Sequence, residues 1–255
     1  MILNLMLSLV VGFFIGIVAG YLGSLMLSRK MSLTAGPLGH LTLPGVALAL
    51  IYGFDISLGA FPFVILGAIM IWLFEMKTKL PMEALTAVVF TFGVSIALLF
   101  LPLDEAETAL IGDISKIGFY DTLIVLPLLA LTFYVTKTIY SKVFLINVSE
   151  DLAKVEGISV KKYNLVYLLL IATIVALGAK LVGGLMTAAI VAIPSASARN
   201  LSKNLLNYKI LASLFGGISM MLGITLSLAF NLPVGSLIIL SNIAIFFLSI
   251  IMKRY

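Results

Sequence analysis

Long unbroken apolar runs, 5–27 and 210–230 among them, constrain this chain more than anything else in it. About 20 consecutive apolar residues carry a helix across the hydrocarbon core of a bilayer. In lipid a segment has to satisfy its own backbone hydrogen bonds, and an α-helix does so internally. A transmembrane β-barrel would show ~10-residue segments of alternating polarity instead. The composition agrees: of 255 residues, 62% are hydrophobic and 11% charged. A soluble domain carries about a quarter charged residues. The sequence therefore predicts an all-α fold, a polytopic transmembrane helical bundle of eight or nine spans. Residues 1–255 read as one transmembrane domain, with no linker and no added soluble domain.

Nine spans are predicted, near 4–27, 37–53, 58–76, 83–101, 119–138, 163–180, 184–198, 210–230 and 234–252. The seventh is short and reads as tilted or partly re-entrant. The first run has neither a positive stretch ahead of it nor a small-residue cleavage site. Arg29 and Lys30 follow it directly, so it is read as a retained span rather than a signal peptide.

The basic residues alternate side. Arg29 and Lys30, Lys77 and Lys79, Lys137 through Lys162, Arg199 through Lys209, and Lys253 with Arg254 follow alternate spans. They make up fourteen of the sixteen Lys and Arg residues, leaving Lys116 and Lys180 on the opposite side. That side also holds Asp104, Glu105, Glu107 and Asp113. Basic loops stay in the cytoplasm, so the N-terminus is expected outside and the C-terminus in the cytoplasm. The net charge of +5 is explained by this arrangement and calls for no nucleic-acid partner.

The cytoplasmic segments 139–162 and 199–209 are the polar stretches large enough to bind a partner. Within the first, EDLAKVEGISV at 150–160 reads as a short interfacial helix with acids at its start and a glycine stop. Pro194, followed by Ser195, Ala196, Ser197 and Ala198, reads as a bent, tightly packed helix end. Gly12, Gly16 and Gly20 put small residues on one face of the first span. Such faces let backbones approach in lipid, and an intrachain contact is favoured over an oligomer-forming one.

Much chemistry is excluded. There are no cysteines and one histidine, so thiolate sites, disulfides and a multi-histidine cage within one chain are ruled out. No phosphate-cradling G-x-x-x-x-G-K-[ST] loop is present, and neither are HExxH or GxSxG. The chain is read as a non-enzyme, and nucleotide hydrolysis would have to be supplied by another chain.

His40, at the start of the second span, is the leading candidate. Ionisable groups inside membranes face a cavity or a partner, and neutral imidazole ligates borderline divalent metals. Hydrogen bonding to a neighbouring carbonyl is the competing reading. Pro44, four residues on, loosens the helix there. Asp55 lies in an outside loop where it would meet cations or simply be solvated. Glu75 and Glu83 beside Lys77 and Lys79 read as a salt-bridged interfacial face. Lys180 reads as snorkelling to the headgroups. Asn231, before Leu232-Pro233, stands at an outside helix end.

On these residues the chain resembles the permease subunits of zinc/manganese-type ABC importers, relatives of the vitamin B12 and iron-siderophore permeases. The resemblance rests on SRKMSLTAGPLGHLTLPGVALAL (28–50), LIGDIS (110–115), EDLAKVEGISVKKYN (150–164), LVGGLMTAAIVAIPSASARNLS (181–202) and LPVGSLIIL (232–240), in that order. It implies a multi-pass protein of the plasma or inner membrane that forms a homodimer. Two cytoplasmic ABC ATPase subunits would carry ATP and magnesium, and an extracytoplasmic substrate-binding protein would deliver the cargo. This chain itself would hold no cofactor, and the divalent metal would be its transported substrate. The resemblance also implies that Ser195, Ser197, Arg199, Asn200 and Lys203 couple to the ATPase, and that His40, Asn231 and Asp55 belong to the pathway. Two departures stand out. The family's Asp one turn before the histidine is Gly36 here, and its outer carboxylate before the terminal run is Asn231. They keep a second reading open, import of another small solute or a metal chelate. An ion-coupled secondary transporter would call for mid-membrane carboxylates, which the spans nearly lack.

Overall fold

The computed structural model describes residues 2–28, 35–78, 80–100, 118–184 and 187–253. Several predicted features lie outside these residues. They are Arg29 and Lys30, Lys79, the acids and Lys116 of 102–117 together with LIGDIS, Met186, and Arg254. Among the described residues every regular element is helical.

The first span is α1, Ile2–Ser28. The second is broken. Gly36, Pro37 and Gly39 favour helix poorly, and Pro44 lacks the N–H that an unbroken helix would donate to the His40 carbonyl. Helix α2, Ala35–His40, therefore stops at a turn through Leu41 and Thr42, and α3, Leu43–Tyr52, begins with Pro44 in its first turn. Thr42 folds back on the break: its N–H (3.2 Å) and its hydroxyl (2.6 Å) both donate to the Gly39 carbonyl. Gly53, at φ 70°, closes α3 in the left-handed conformation that glycine adopts without penalty.

Helices α4, Ile56–Thr78, and α5, Met82–Phe100, follow. Helix α6, Phe119–Val148, starts where the Asp121 carboxylate accepts the Gly118 N–H at 2.8 Å. It runs ten residues past the predicted end at 138, because Lys137 and Lys142 continue the helix instead of opening a loop. The short α7, Glu150–Val155, is capped by the Ser149 hydroxyl, and Gly157 follows it at φ 73°. The chain then forms α8, Val160–Val182; α9, Thr187–Leu201; α10, Leu205–Phe230; and α11, Val234–Ile251.

Among the described residues, six helices are long and apolar enough to cross a membrane: α1, α4, α6, α8, α10 and α11. Shorter apolar stretches are Leu38–Ala49 and Met82–Ala97. The predicted seventh span becomes α9, 15 residues long and displaced toward the C-terminus. At about 1.5 Å per residue it is shorter than the ~30 Å hydrocarbon core.

Helix α1 is the centre of the bundle, packed against α6, α8, α9 and α10, while α4 packs on α3 and α8. Ile15, Leu22, Ile71, Tyr167, Ile171 and Ile174 are fully buried. Leu123, Ile124, Leu131, Phe247 and Ile251 face outward, as a bundle solvated by lipid chains allows. Buried hydroxyls bond back to their own helices, as Thr136 does to the Thr132 carbonyl (2.7 Å). The small face of α1 is an intrachain contact, with Gly16 and Gly20 meeting Gly216 and Ala212 of α10.

Candidate functional site

His40 ends α2, half-buried, with its ring centroid 5.0 Å from that of Phe90 on α5. Helix α2 sits among α4, α5, α8 and α9, and Leu38 and Leu41 on either side of the histidine are buried. Gly39 abuts the Gly184 carbonyl and the Thr187 hydroxyl, so no side chain fits there. Two helix interruptions therefore meet: Leu41–Thr42 between α2 and α3, and Gly183–Gly184 between α8 and α9. Non-helical backbone at membrane depth is tolerated only where protein buries it or a cavity needs it.

Thr187 donates its hydroxyl to the Gly184 carbonyl (3.1 Å), as Thr42 does to Gly39. Among the described residues no three His, Asp or Glu side chains converge. A hard dication is normally bound by carboxylates, carbonyls and waters. At this junction it would meet one imidazole, hydroxyls and carbonyls, and would keep part of its hydration. The sequence located His40 but missed Phe90, which reaches it through tertiary packing, and the meeting of Thr42, Gly184 and Thr187 around neighbouring Gly39. The Gly183-Gly184 pair was the one visible signal.

The other pathway candidates are exposed. Asn231 is exposed at the α10–α11 corner with φ 52° and ψ 41°. The Ser227 hydroxyl spans that corner to the Leu232 carbonyl (2.7 Å). Asp55 is exposed at the start of α4, where its carbonyl accepts the N–H groups of Leu58 and Gly59. Glu75 is engaged by Asn164 of α8, whose amide donates at 3.3 Å, an interhelix contact that spacing did not reveal.

The residues assigned to coupling fall into two groups. Ser195 and Ser197 are 0% exposed, and their hydroxyls donate to the carbonyls of Val191 and Ile193 in the same helix. Asn200 is half-buried, and its amide donates to the Ser249 hydroxyl of α11 at 3.0 Å. Arg199 and Lys203 are exposed, as are Leu205 and Leu206, which open α10. Asn204 fixes this corner by accepting the Asn207 N–H at 2.8 Å. The inward group holds the corner in place, and the outward group forms its surface.

The family model of the ABC 3 transport family matches residues 1–253. The manganese transport system membrane protein MntC of Listeria monocytogenes is 27% identical, over 92% of this chain and 85% of that protein. The high-affinity zinc uptake system membrane protein ZnuB of Buchnera aphidicola subsp. Schizaphis graminum is 26% identical, over 95% of each chain. Among solved structures, PsaBC from Streptococcus pneumoniae in complex with Fab superposes with a TM-score of 0.81 at 26% identity. That match covers 97% of this chain and 91% of the other.

Proposed function

The chain belongs to the ABC 3 transport family, and on that premise we propose that it is the membrane-spanning permease subunit of an ATP-driven importer of divalent metal ions. The observation that carries this reading is the family match along 1–253. Relatives named for manganese and for zinc transport cover nearly the same length. The absence of a phosphate loop from the sequence fits a subunit that leaves hydrolysis to partners.

The finer parts of the proposal are these. The N-terminus lies outside and the C-terminus in the cytoplasm, with α2–α3, α5 and α9 entering the membrane beside the six long helices. Two copies form a homodimer. Two cytoplasmic ATPase subunits bind ATP and magnesium, and an extracytoplasmic protein delivers the ion. The permease makes and breaks no covalent bond; hydrolysis in the partners alternates its access. His40 lies on the pathway, with Asn231 and Asp55 nearer its outer end. Arg199 and Lys203 form the surface that the ATPase grips, while Ser195, Ser197 and Asn200 hold that surface in place.

The test is uptake into vesicles that contain this chain with its co-expressed ATPase, comparing manganese, zinc and ferrous ions. ATP-dependent uptake of at least one is expected. Silence for all three overturns the reading. A second reading, import of a metal chelate or another small solute, is favoured by Gly36 and Asn231, where the resemblance leads one to expect carboxylates. Hydrolysis stimulated by such a solute, with no uptake of bare ions, selects it.

A further inference from the structure

Resting on the docking role given above to the α9–α10 corner, we propose that Tyr140 and Lys209 are positioning residues that tie this corner to α1. They make movement of the corner reach the centre of the bundle. The contacts form a continuous series. The Arg199 guanidinium stands 5.7 Å from the ring centroid of Tyr208, in the first turn of α10. The next residue, Lys209, holds its ammonium 4.3 Å from the ring centroid of Tyr140 on α6. The Tyr140 hydroxyl lies 2.8 Å from the Ser24 hydroxyl on α1. Tyr21, one turn earlier on α1, packs its ring 5.3 Å from Tyr140 and 5.0 Å from Phe133. Docking surface, α10, α6 and α1 are thus joined through two cation–π contacts and one buried hydrogen bond. A cation over an aromatic face is held more firmly where water is excluded, and Tyr140 is buried.

One further observation marks where a second arrangement of this series would be favoured. Tyr208 is 3% exposed, and its buried hydroxyl has no hydrogen-bond partner among the described residues. A buried phenol left unsatisfied is disfavoured, so an arrangement of the corner that gives it a partner is favoured to that extent. Coupling between distant sites needs an element with two such states.

The experiment uses the full permease with its ATPase in proteoliposomes, with manganese ions as the probe. It reads three quantities: ATPase retained on purification, ATP hydrolysed, and manganese moved per ATP. Lys209→Gln is expected to lower manganese moved per ATP about fivefold, with ATPase retention unchanged. Lys209→Arg, which keeps the cation over the ring, should restore the ratio. Should the glutamine variant fail to fold, Tyr140→Phe keeps the ring and removes only the bond to Ser24. It should lower the ratio in the same direction. An unchanged ratio in the folded variants overturns the proposal. Loss of ATPase retention in Lys209→Gln also overturns it, because Lys209 would then be a docking contact. A wild-type chain that neither retains an ATPase nor moves manganese or zinc overturns the permease reading, and this proposal with it.

Discussion

Gly16 of α1 and Gly216 of α10 face each other backbone to backbone, and a β-carbon on either would overlap the other's carbonyl. Oil–water partition supplies no force between helices in lipid, so close approach and dispersion have to hold the pair. Gly16→Val is therefore expected to destabilise the bundle by about 3 kcal/mol or more, since backbone on both sides cannot move aside. Val10→Ala, at an outward-facing position of the same helix, should change stability by less than about 0.5 kcal/mol. Thermal unfolding of the detergent-purified chain checks both.

Replacing His40 separates a ligand from a packing group. Glutamine keeps a hydrogen-bonding side chain but loses imidazole ligation. If the ring meets the cargo, His40→Gln and His40→Ala should each lower manganese uptake at least about tenfold, with ATPase retention unchanged. If His40 only bonds a carbonyl beside Phe90, the glutamine variant should transport like the wild type.

How far the sequence revealed this fold depends on how local each signal was. Helices α1, α4, α8, α10 and α11 follow their hydrophobic runs because a long apolar stretch in lipid has one solution. The end of α6 was obscured because Lys137 and Lys142 resemble loop residues. Both are exposed within the helix instead, and Lys142 donates to the Tyr163 hydroxyl at 2.8 Å. The break at Leu41–Thr42 had a local cause in Pro44, but its meeting with Gly183–Gly184 became evident only in three dimensions. At the site, His40 was legible because it is the single histidine. The resemblance grouped Ser195 and Ser197 with Arg199, and helical rotation turns the serines inward and the arginine outward.

Asn231 holds a left-handed backbone, φ 52°, that glycine adopts freely and β-branched residues resist. Asn231→Gly should therefore fold with stability close to the wild type, while Asn231→Val should cost about 1–2 kcal/mol. That contrast makes the glycine variant a clean probe of the side chain. Reduced uptake in it places the Asn231 amide on the pathway; unchanged uptake leaves the residue a helix end. Asn231→Asp adds a hard oxygen ligand and should lower the manganese concentration needed for half-maximal uptake.

Charge reversal tests the proposed docking surface. Arg199→Glu removes a cation from the exposed corner and from the face of Tyr208. ATPase retention and coupled uptake should fall together by about tenfold, equivalent to about 1.4 kcal/mol. Ser195→Ala should leave retention unchanged, because that hydroxyl is buried and bonded within α9.

The direction of transport requires the α9–α10 corner to face the cytoplasm and the α3–α4 corner to face outward. The sequence has no cysteine, so Lys203→Cys and Asp55→Cys each introduce a single thiol at an exposed position. In intact cells a membrane-impermeant maleimide should label Asp55→Cys, and Lys203→Cys should react only after the membrane is opened. The positive-inside arrangement demands this pair of outcomes. The reverse pattern would place Arg199 and Lys203 outside, where no ATP-hydrolysing partner can reach them, and the proposed importer would have no source of force.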